Sequence, residues 1–384
     1  MTSYKWDHGN YIPTAFEAKH FDDESSFVFL NSKLSINEEF HKLPYKASRL
    51  WFLTSGSTGE PKWVAIQKKA FLKSAHSVNT FFDLTSQDVF VKSLPLFHVG
   101  GLAILARAHL LKAKVVALTQ DSWDPKSFLN FIVREKVTVL SLVPTQLFDL
   151  IKLNINAPKT IRLAFIGGGA VSLAVIDQAV NLGWPVIPSY GMTETSSMIA
   201  AVSPEDRNTD QYQQLTVLPH AQIKVGEDGV AYIRATSAFE GIYTVSSKTF
   251  NEHENGEWIK TTDQIDLSKE GKIVSVSRIS DSVKVNGELV SLNVIEGKLK
   301  SHLKDDLLSC DLKVVALPND RTENEITLCL KSSDWPQVYN SLNKARTKLS
   351  SIEQPRRLIL LLDWPVNEMG KWNHKNFLKT LNFD

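Results

Sequence analysis

The 384-residue sequence predicts an α/β protein with a large multilayer N-terminal α/β domain and a small α+β C-terminal domain. Three observations lead to this. Between Leu50 and about Pro188, short β-rich runs alternate with helical ones, the signature of stacked α/β layers. From about Pro219 the pattern shifts to short strands separated by turn clusters. Beyond Arg278 a compact tail mixes helical and strand runs. The pattern shift places the large domain at residues 1–278 and the small one at 279–384, without a Pro- or Gly-rich linker between them.

In chain order, the first part reads as a strand at Val64–Ile66, a helix near Phe71–Phe82 and a strand at Lys114–Leu118. Asp124 is a good N-cap with Pro125 at the first helical position, so a helix opens there. Val137–Val143 and Ile161–Ile166 follow as strands, and Ser172 opens a helix that Gly183 can close. Gly226-Glu-Asp-Gly229 and Lys269-Glu-Gly271 mark hairpins. The tail reads as a helix over Leu292–Leu303, strands near Leu312–Leu317 and Glu325–Leu330, a helix near Val338–Leu349, a strand Leu358–Leu362 and a last helix after Gly370.

Composition narrows the function classes. Lys plus Arg number 43 and Asp plus Glu 42, a formal charge of +1, so no global field favours nucleic acid or an acidic membrane. Any anion site must be local. Cys310 and Cys329 are too far apart for a C-x-x-C pair, which fits a reducing cytoplasm better than a disulfide scaffold. The N-terminus lacks a signal-peptide pattern and no apolar run reaches 18 residues, so the expectation is a soluble, unprocessed, cytoplasmic protein.

The strongest local signal is Thr54-Ser55-Gly56-Ser57-Thr58-Gly59-Glu60-Pro61-Lys62, which follows the apolar run Trp51-Phe-Leu53. Glycines let backbone N–H groups approach an anion, the hydroxyls add neutral donors, and Lys62 supplies a point charge. Glu60 after Gly59 excludes a Walker A loop. A surface turn remains the alternative reading of such a Ser/Gly cluster.

This loop resembles the signature loop of the adenylate-forming superfamily, which comprises acyl- and aryl-CoA ligases, luciferases and peptide adenylation domains. Four further stretches resemble that superfamily's motifs in their usual order: Tyr190-Gly-Met-Thr-Glu194-Thr, Thr261-Thr-Asp263, Arg278-Ile-Ser-Asp-Ser-Val-Lys284-Val-Asn-Gly287-Glu, and Pro365-Val-Asn-Glu-Met-Gly370-Lys371. Together they span Thr54 to Lys371. The resemblance implies ATP and CoA as co-substrates and Mg²⁺ as cofactor. It makes Thr54–Gly59, Lys62, Gly168, Gly169, Tyr190, Gly191, Thr193, Asp263 and Arg278 the ATP- and AMP-binding residues, with adenine on Tyr190, a phosphate on Thr193 and the ribose on Asp263. Thr58 and Glu194 would serve the metal, a hard cation that takes few protein oxygens alongside substrate phosphates. Ser280 becomes the hinge of a mobile C-terminal domain, Lys284, Gly287 and Glu288 the CoA loop, and Lys371 the catalytic lysine. Read singly, Tyr190 could be core, Asp263 a turn cap, and Lys371 a solvated lysine beside Lys375 and Lys379.

For the acid, Leu94-Pro-Leu-Phe-His98-Val-Gly-Gly101 resembles the superfamily's acyl-pocket motif and Ile166-Gly-Gly-Gly169-Ala its glycine-rich wall. That places His98, as a catalytic and acid-binding group, with Arg107, Gly167, Gly168 and Thr195 around the acid. Arg107 lies in an otherwise apolar helical run and needs an anionic partner if it faces inward. The segment is similar to that of the o-succinylbenzoate:CoA ligases of menaquinone biosynthesis, whose substrate keeps a second carboxylate after the first is activated. Ser280-Asp281 in the hinge looks the same way. Arg107 would hold the spare carboxylate, or snorkel to the surface, or form a structural ion pair. Thr262, Ser277 and Asn286 stand where the superfamily usually has glycine. Only 53 residues precede Thr54, so the resemblance implies a shortened first lobe. It implies no nucleic-acid or membrane partner and leaves a homodimer open. Other acids on the same chemistry, or a non-catalytic nucleotide binder, are the rival readings.

Overall fold

The computed structural model describes residues 3–7, 10–13, 15–30, 40, 43, 46–55, 61–118, 123–169, 171, 173–208, 214–278, 282–285, 288–302, 311–319, 323–331, 335–366 and 372–381. Its contacts divide the chain into two compact units: Met1–Val171 with Val175–Val276, and Ser277–Asp384 with Ser172–Ala174.

The large unit holds three sheets. The first runs in the order Thr249–Glu252, Gly241–Thr244, Pro61–Gln67, Arg49–Ser55, Phe27–Phe29, Ser3–Asp7, Asn10–Pro13. Side chains alternate across a strand, and here both faces are buried. Phe27, Phe29, Leu50, Phe52, Val64 and Ile66 form one face, packed with Phe71 and Ala75 of helix Lys68–Phe81 and with Leu102 and Ala106 of helix Val99–Leu111. Val28, Trp51, Trp63, Ala65 and Tyr243 form the other. Phe29 and Phe52 stack at 5.0 Å between ring centroids. Each such side chain taken wholly out of water contributes roughly 1.5–3 kcal/mol before conformational entropy is charged against it.

The second sheet runs Thr216–Val217, Ser197–Ala201, Val186–Met192, Leu163–Ile166, Val139–Leu142, Val89–Val91, Lys114–Val116. Its strands are parallel from Val186–Met192 through Lys114–Val116 and antiparallel at the other edge. Val139–Leu142 and Leu163–Ile166 are buried at every position, as parallel strands covered on both faces must be. Helix Pro125–Arg134 starts where the sequence indicates, because Asp124 Oδ2 accepts from the Ser127 amide at 2.8 Å. A smaller sheet of Ala221–Val225, Val230–Ala235, Ile259–Leu267 and Ile273–Arg278 contains both expected hairpins.

The small unit carries the hairpin Ser282–Val285/Glu288–Ser291, the sheet Leu312–Asn319, Glu323–Lys331, Arg357–Leu361, and helices Leu292–His302, Trp335–Arg346 and His374–Thr380. Ile295, Leu299, Val314, Leu328 and Leu342 are in its core. Burial pushes the Cys329 thiol up to about 12, with Glu296 adding to the rise, so it is chemically inert at neutral pH. Cys310 lies outside the described residues.

The sequence did not indicate strands Ser3–Asp7, Asn10–Pro13 and Phe27–Phe29 or helix Pro144–Lys152. The strands have three to five residues, too few to show a period, and the helix has nine, below the length at which periodicity separates helix from strand. Among the described residues no helix is long and apolar enough to cross a membrane.

Candidate active site

In open α/β sheets, ligands bind in the crevice outside the carboxyl ends of the strands. Two neighbouring parallel strands of the second sheet end in segments that the sequence singles out. Leu163–Ile166 runs into Gly167–Gly169, and Val186–Met192 runs through Tyr190 and Gly191 into the short 3₁₀ turn Thr193–Thr195. Their register sets Ile187 opposite Phe165 and Pro188 opposite Ile166. Ser189 Oγ donates to the Ile166 carbonyl at 2.9 Å, and a Cβ at Gly167 would lie 2.9 Å from Ser189 Oγ. Gly168 and Gly169 are exposed beyond it.

Gly191 is required by close approach. A Cβ there would sit 2.0 Å from the Ser197 carbonyl oxygen, where strand Val186–Met192 pairs with Ser197–Ala201 past a register shift at Tyr190/Gly191. The turn after it folds back sharply, with Ser196 at φ 57° and Ser197 at φ 97°. Thr195 is fully buried, and its hydroxyl donates to the Met192 and Ser197 carbonyls, both at 3.1 Å, or accepts from the Met192 amide at 3.3 Å. The Thr195 hydroxyl is thus spent on the backbone of its own turn.

Asp263 is brought to this turn from 73 residues away. It lies on strand Ile259–Leu267, is 5% exposed, and accepts a 2.6 Å hydrogen bond from the Tyr190 hydroxyl through Oδ2. Thr261 Oγ1 steadies the strand by donating to the Ala231 carbonyl at 2.8 Å and accepting from the Asp263 amide at 3.0 Å. Thr262, one of the departures from glycine, is exposed and adds no crowding beside Asp263.

Strands Arg49–Ser55 and Pro61–Gln67 form a hairpin with Thr54 opposite Lys62, and Thr54 Oγ1 donates to the Lys62 carbonyl at 3.3 Å. Ser55 ends the first strand and Pro61 begins the second. Gly56, Ser57, Thr58 and Gly59 lie outside the described residues, as do Ser280, Gly287 and Lys371. The backbone of Arg278 ends strand Ile273–Arg278, while Lys284 and Glu288 are on the strands of the small unit's hairpin.

Glu194 is half-buried in the 3₁₀ turn beside Thr193, and its carbonyl accepts from the Phe239 amide at 2.8 Å. No group of three or more His, Cys, Asp or Glu side chains capable of holding a metal occurs among the described residues. A single carboxylate suits a cation that keeps waters and substrate phosphates as its other ligands, which is the habit of Mg²⁺ rather than of zinc.

His98 is exposed and stands at the N-cap of helix Val99–Leu111, its ring 4.5 Å from that of Phe97. Gly101 is forced: a Cβ would fall 2.1 Å from the Pro95 carbonyl oxygen. Further along the same helix Arg107 is 3% exposed, so it does not snorkel. Its guanidinium lies 5.2 Å over the Phe165 ring, and its Nε has no hydrogen-bond partner among the described residues. No carboxylate forms an ion pair with it among them. Burial lowers Arg107 to about 10, which leaves it charged at neutral pH. Burial, with the charge of Arg107 behind it, brings His220 down to about 4, so His220 is neutral there. Asn79 fixes the helix at this point, Nδ2 donating to the Arg107 carbonyl at 3.0 Å. Asn79, Ser237 and Phe239 carry no signal in the sequence, because they lie in no motif and their partners are 28 to 45 residues away.

A sequence model for a family described as "AMP-binding enzyme" matches residues 21–236, more than half of the chain. The 2-succinylbenzoate–CoA ligase of Bacillus subtilis is 31% identical over 258 residues, a match covering 65% of this chain and 52% of that one. The chain thus spans about half the length of this curated relative. The corresponding ligase of Bacillus thuringiensis is 26% identical over 371 residues, covering 93% and 75%. Among solved structures, the o-succinylbenzoate CoA synthetase of Bacillus subtilis in complex with its acyl-adenylate intermediate superposes with a TM-score of 0.71 at 26% identity, over 84% of this chain and 67% of that one. The same enzyme in complex with ATP and magnesium ion gives 0.70 at 25%, over 88% and 72%. An amide bond synthetase of Marinactinospora thermotolerans shares the fold at TM-score 0.72 and 21% identity, over 88% and 71%. The α/β architecture is that of adenylate-forming enzymes.

Proposed function

The chain belongs to the AMP-binding enzyme family, and on that premise we propose that it is an o-succinylbenzoate:CoA ligase, converting 2-succinylbenzoate, ATP and CoA into the CoA thioester, AMP and pyrophosphate. The observation that carries the choice of acid is Arg107, a guanidinium 3% exposed with no carboxylate in ion-pair contact among the described residues. An unpaired buried charge is costly, and an acid that retains a second carboxylate after activation supplies the missing partner.

In the first half-reaction the succinyl carboxylate attacks the α-phosphorus of ATP, forming the P–O bond of the acyl-adenylate while the bond to pyrophosphate breaks. The Tyr190 ring provides a face for adenine, and Asp263 accepts from the ribose hydroxyls with its orientation set by the Tyr190 hydroxyl. Thr54, Lys62 and Thr193, with the hydroxyl- and glycine-rich loop, receive the phosphates. Glu194, with Thr58, would hold Mg²⁺, which supplies charge compensation for the phosphates when bound. Lys371 stabilises charge building on the leaving pyrophosphate; an ammonium about 4 Å away at an effective dielectric near 20 is worth roughly 4 kcal/mol, about a thousandfold in rate. In the second half-reaction the small domain swings about Ser280, and the loop of Lys284, Gly287 and Glu288 guides CoA. The thiol attacks the acyl carbonyl, AMP leaves, and the thiol proton passes to solvent.

The test is pyrophosphate release from ATP and Mg²⁺ with 2-succinylbenzoate, benzoate or a medium-chain fatty acid, each with and without CoA. Release confined to succinylbenzoate, with AMP and thioester appearing together when CoA is added, is the expected result. Release with a different acid alone would keep the reaction and overturn the substrate.

A further inference from the structure

We propose that Ser237 is a positioning residue for Glu194, acting through a buried clamp that fixes the turn bearing this carboxylate; the inference rests on the reading of Glu194 as the metal ligand. Strand Val230–Ala235 ends just before Ser237, whose side chain is fully buried. Three hydrogen bonds join this segment to three successive residues of the turn. The Phe239 amide donates to the Glu194 carbonyl at 2.8 Å, Ser237 Oγ donates to the Thr195 carbonyl at 2.9 Å, and Ser196 Oγ donates back to the Ser237 carbonyl at 2.6 Å. The two serines are fully buried, so their hydroxyls have no water as a substitute partner.

The turn needs such a brace. Ser196 and Ser197 take successive positive φ angles of 57° and 97°, a conformation that L-residues keep only where surrounding contacts over-determine it. Thr195 spends its hydroxyl on the turn's own backbone. The clamp thus supplies the outside constraint, and it is anchored in turn: Glu240, next along the chain, donates its amide to the Ala65 carbonyl at 2.8 Å and forms an ion pair with Arg49. Ser237 is 0% exposed and its hydroxyl is spent on the Thr195 carbonyl. Its effect must pass through the backbone of residues 194–196, so it belongs to the metal step and not to adenine recognition.

The experiment is calorimetric ATP binding at a series of Mg²⁺ concentrations, on the full chain. A neutral buried hydrogen bond contributes about 1 kcal/mol, so Ser237→Ala should raise the Mg²⁺ concentration needed for half-maximal ATP binding by about fivefold, with metal-free ATP affinity unchanged. Excess Mg²⁺ should restore wild-type ATP affinity. An unchanged Mg²⁺ requirement would overturn the proposal, and so would an equal loss of metal-free affinity, which marks general damage to the pocket. Should Ser237→Ala not fold, Ser196→Ala removes the reciprocal bond and carries the same expectation. Glu194→Gln separates the two inferences. A normal Mg²⁺ requirement in that variant overturns the metal assignment itself, whereas a raised one beside a normal Ser237→Ala overturns only the clamp.

Discussion

The Tyr190 hydroxyl donates a 2.6 Å hydrogen bond to Asp263 Oδ2, joining a parallel strand of the second sheet to a strand of the smaller one. Both residues belong to stretches that resemble the superfamily's nucleotide motifs, and the bond makes them one unit. Asp263 is 5% exposed, so the phenol supplies a hydrogen bond that solvent could not readily supply.

Tyr190→Phe keeps the ring and removes this donor. Hydrogen bonds to charged groups are worth about 1.5–3 kcal/mol, which bounds the effect between roughly 10-fold and 150-fold. The expected outcome lies near the lower end, about a tenfold rise in KM for ATP with kcat little changed, since the ribose hydroxyls partly compensate. Pyrophosphate release against ATP concentration measures it. A larger fall in kcat than in affinity would place Tyr190 in the chemistry instead of in binding.

Arg107→Met separates stability from recognition. The native guanidinium is buried without an ion pair among the described residues, so replacing it by an apolar side chain of similar length should leave Tm unchanged or raise it. The same change should raise KM for 2-succinylbenzoate at least tenfold, because a charge-assisted contact to the second carboxylate is lost. Loss of Tm together with unaltered KM would mean that Arg107 serves the fold alone.

Arg107 also shows how far the sequence could be read. Its apolar helical setting was legible, because the run Leu102–Ala108 has one charged residue, and the structure excludes one of its three readings by burying it. Tyr190, Glu194 and Asp263 stand out in the sequence because the order of their motifs along the chain is specific. The pairing of Tyr190 with Asp263 does not, since no local pattern encodes a contact between strands 73 residues apart. Thr195 is a second such case: its place in a motif does not reveal that its hydroxyl bonds the Met192 and Ser197 carbonyls. Ser237 lies in no motif at all, and only packing reveals it. The alternating runs gave the parallel sheet, whereas Phe27–Phe29 and its N-terminal neighbours were too short to show a period.

Lys371→Ala tests the division of the reaction between two half-steps. The lysine should matter only while pyrophosphate leaves, so adenylation is expected to fall about a thousandfold, in line with roughly 4 kcal/mol of charge stabilisation. Thioester formation from supplied acyl-adenylate should persist at close to the native rate. Equal losses in both assays would refute the domain swing.

Asp23 gives a pH prediction for the fold. Burial by itself would raise this carboxyl, but hydrogen bonds from Lys68 and Ser25 outweigh that and hold it at about 2, against an ordinary 3.8. Lys68 Nζ is 2.7 Å from Oδ1 and the lysine is 2% exposed. A depressed folded pKa contributes stability above the ordinary value, and that contribution is lost as pH falls from about 4 to about 2. The Asp23 side chain is 41% exposed, so solvent screening reduces the contribution to the order of 1 kcal/mol. Urea midpoints followed from pH 4 downward should decline in the native chain and decline less in Lys68→Met.

Gly191→Ala addresses whether the glycine of the Tyr-Gly motif is there for freedom or for space. The added Cβ would meet the Ser197 carbonyl oxygen at 2.0 Å and its carbon at 2.6 Å, both backbone atoms of the paired strand. Neither can rotate away, so strand Ser197–Ala201 must separate from Val186–Met192 at the point where Tyr190 reaches Asp263. Overpacking of this kind costs about 1–3 kcal/mol, and Tm should fall by several degrees together with a loss of ATP affinity of tenfold or more. Gly169→Ala is the matched control for stability. Its Cβ would meet only the Pro144 ring, at 3.7 Å, an ordinary contact, so Tm should stay within about a degree of the native value. If both variants keep the native Tm, the strand pairing at Gly191 has more room than its geometry indicates, and the motif's glycine must be explained by contact with the nucleotide.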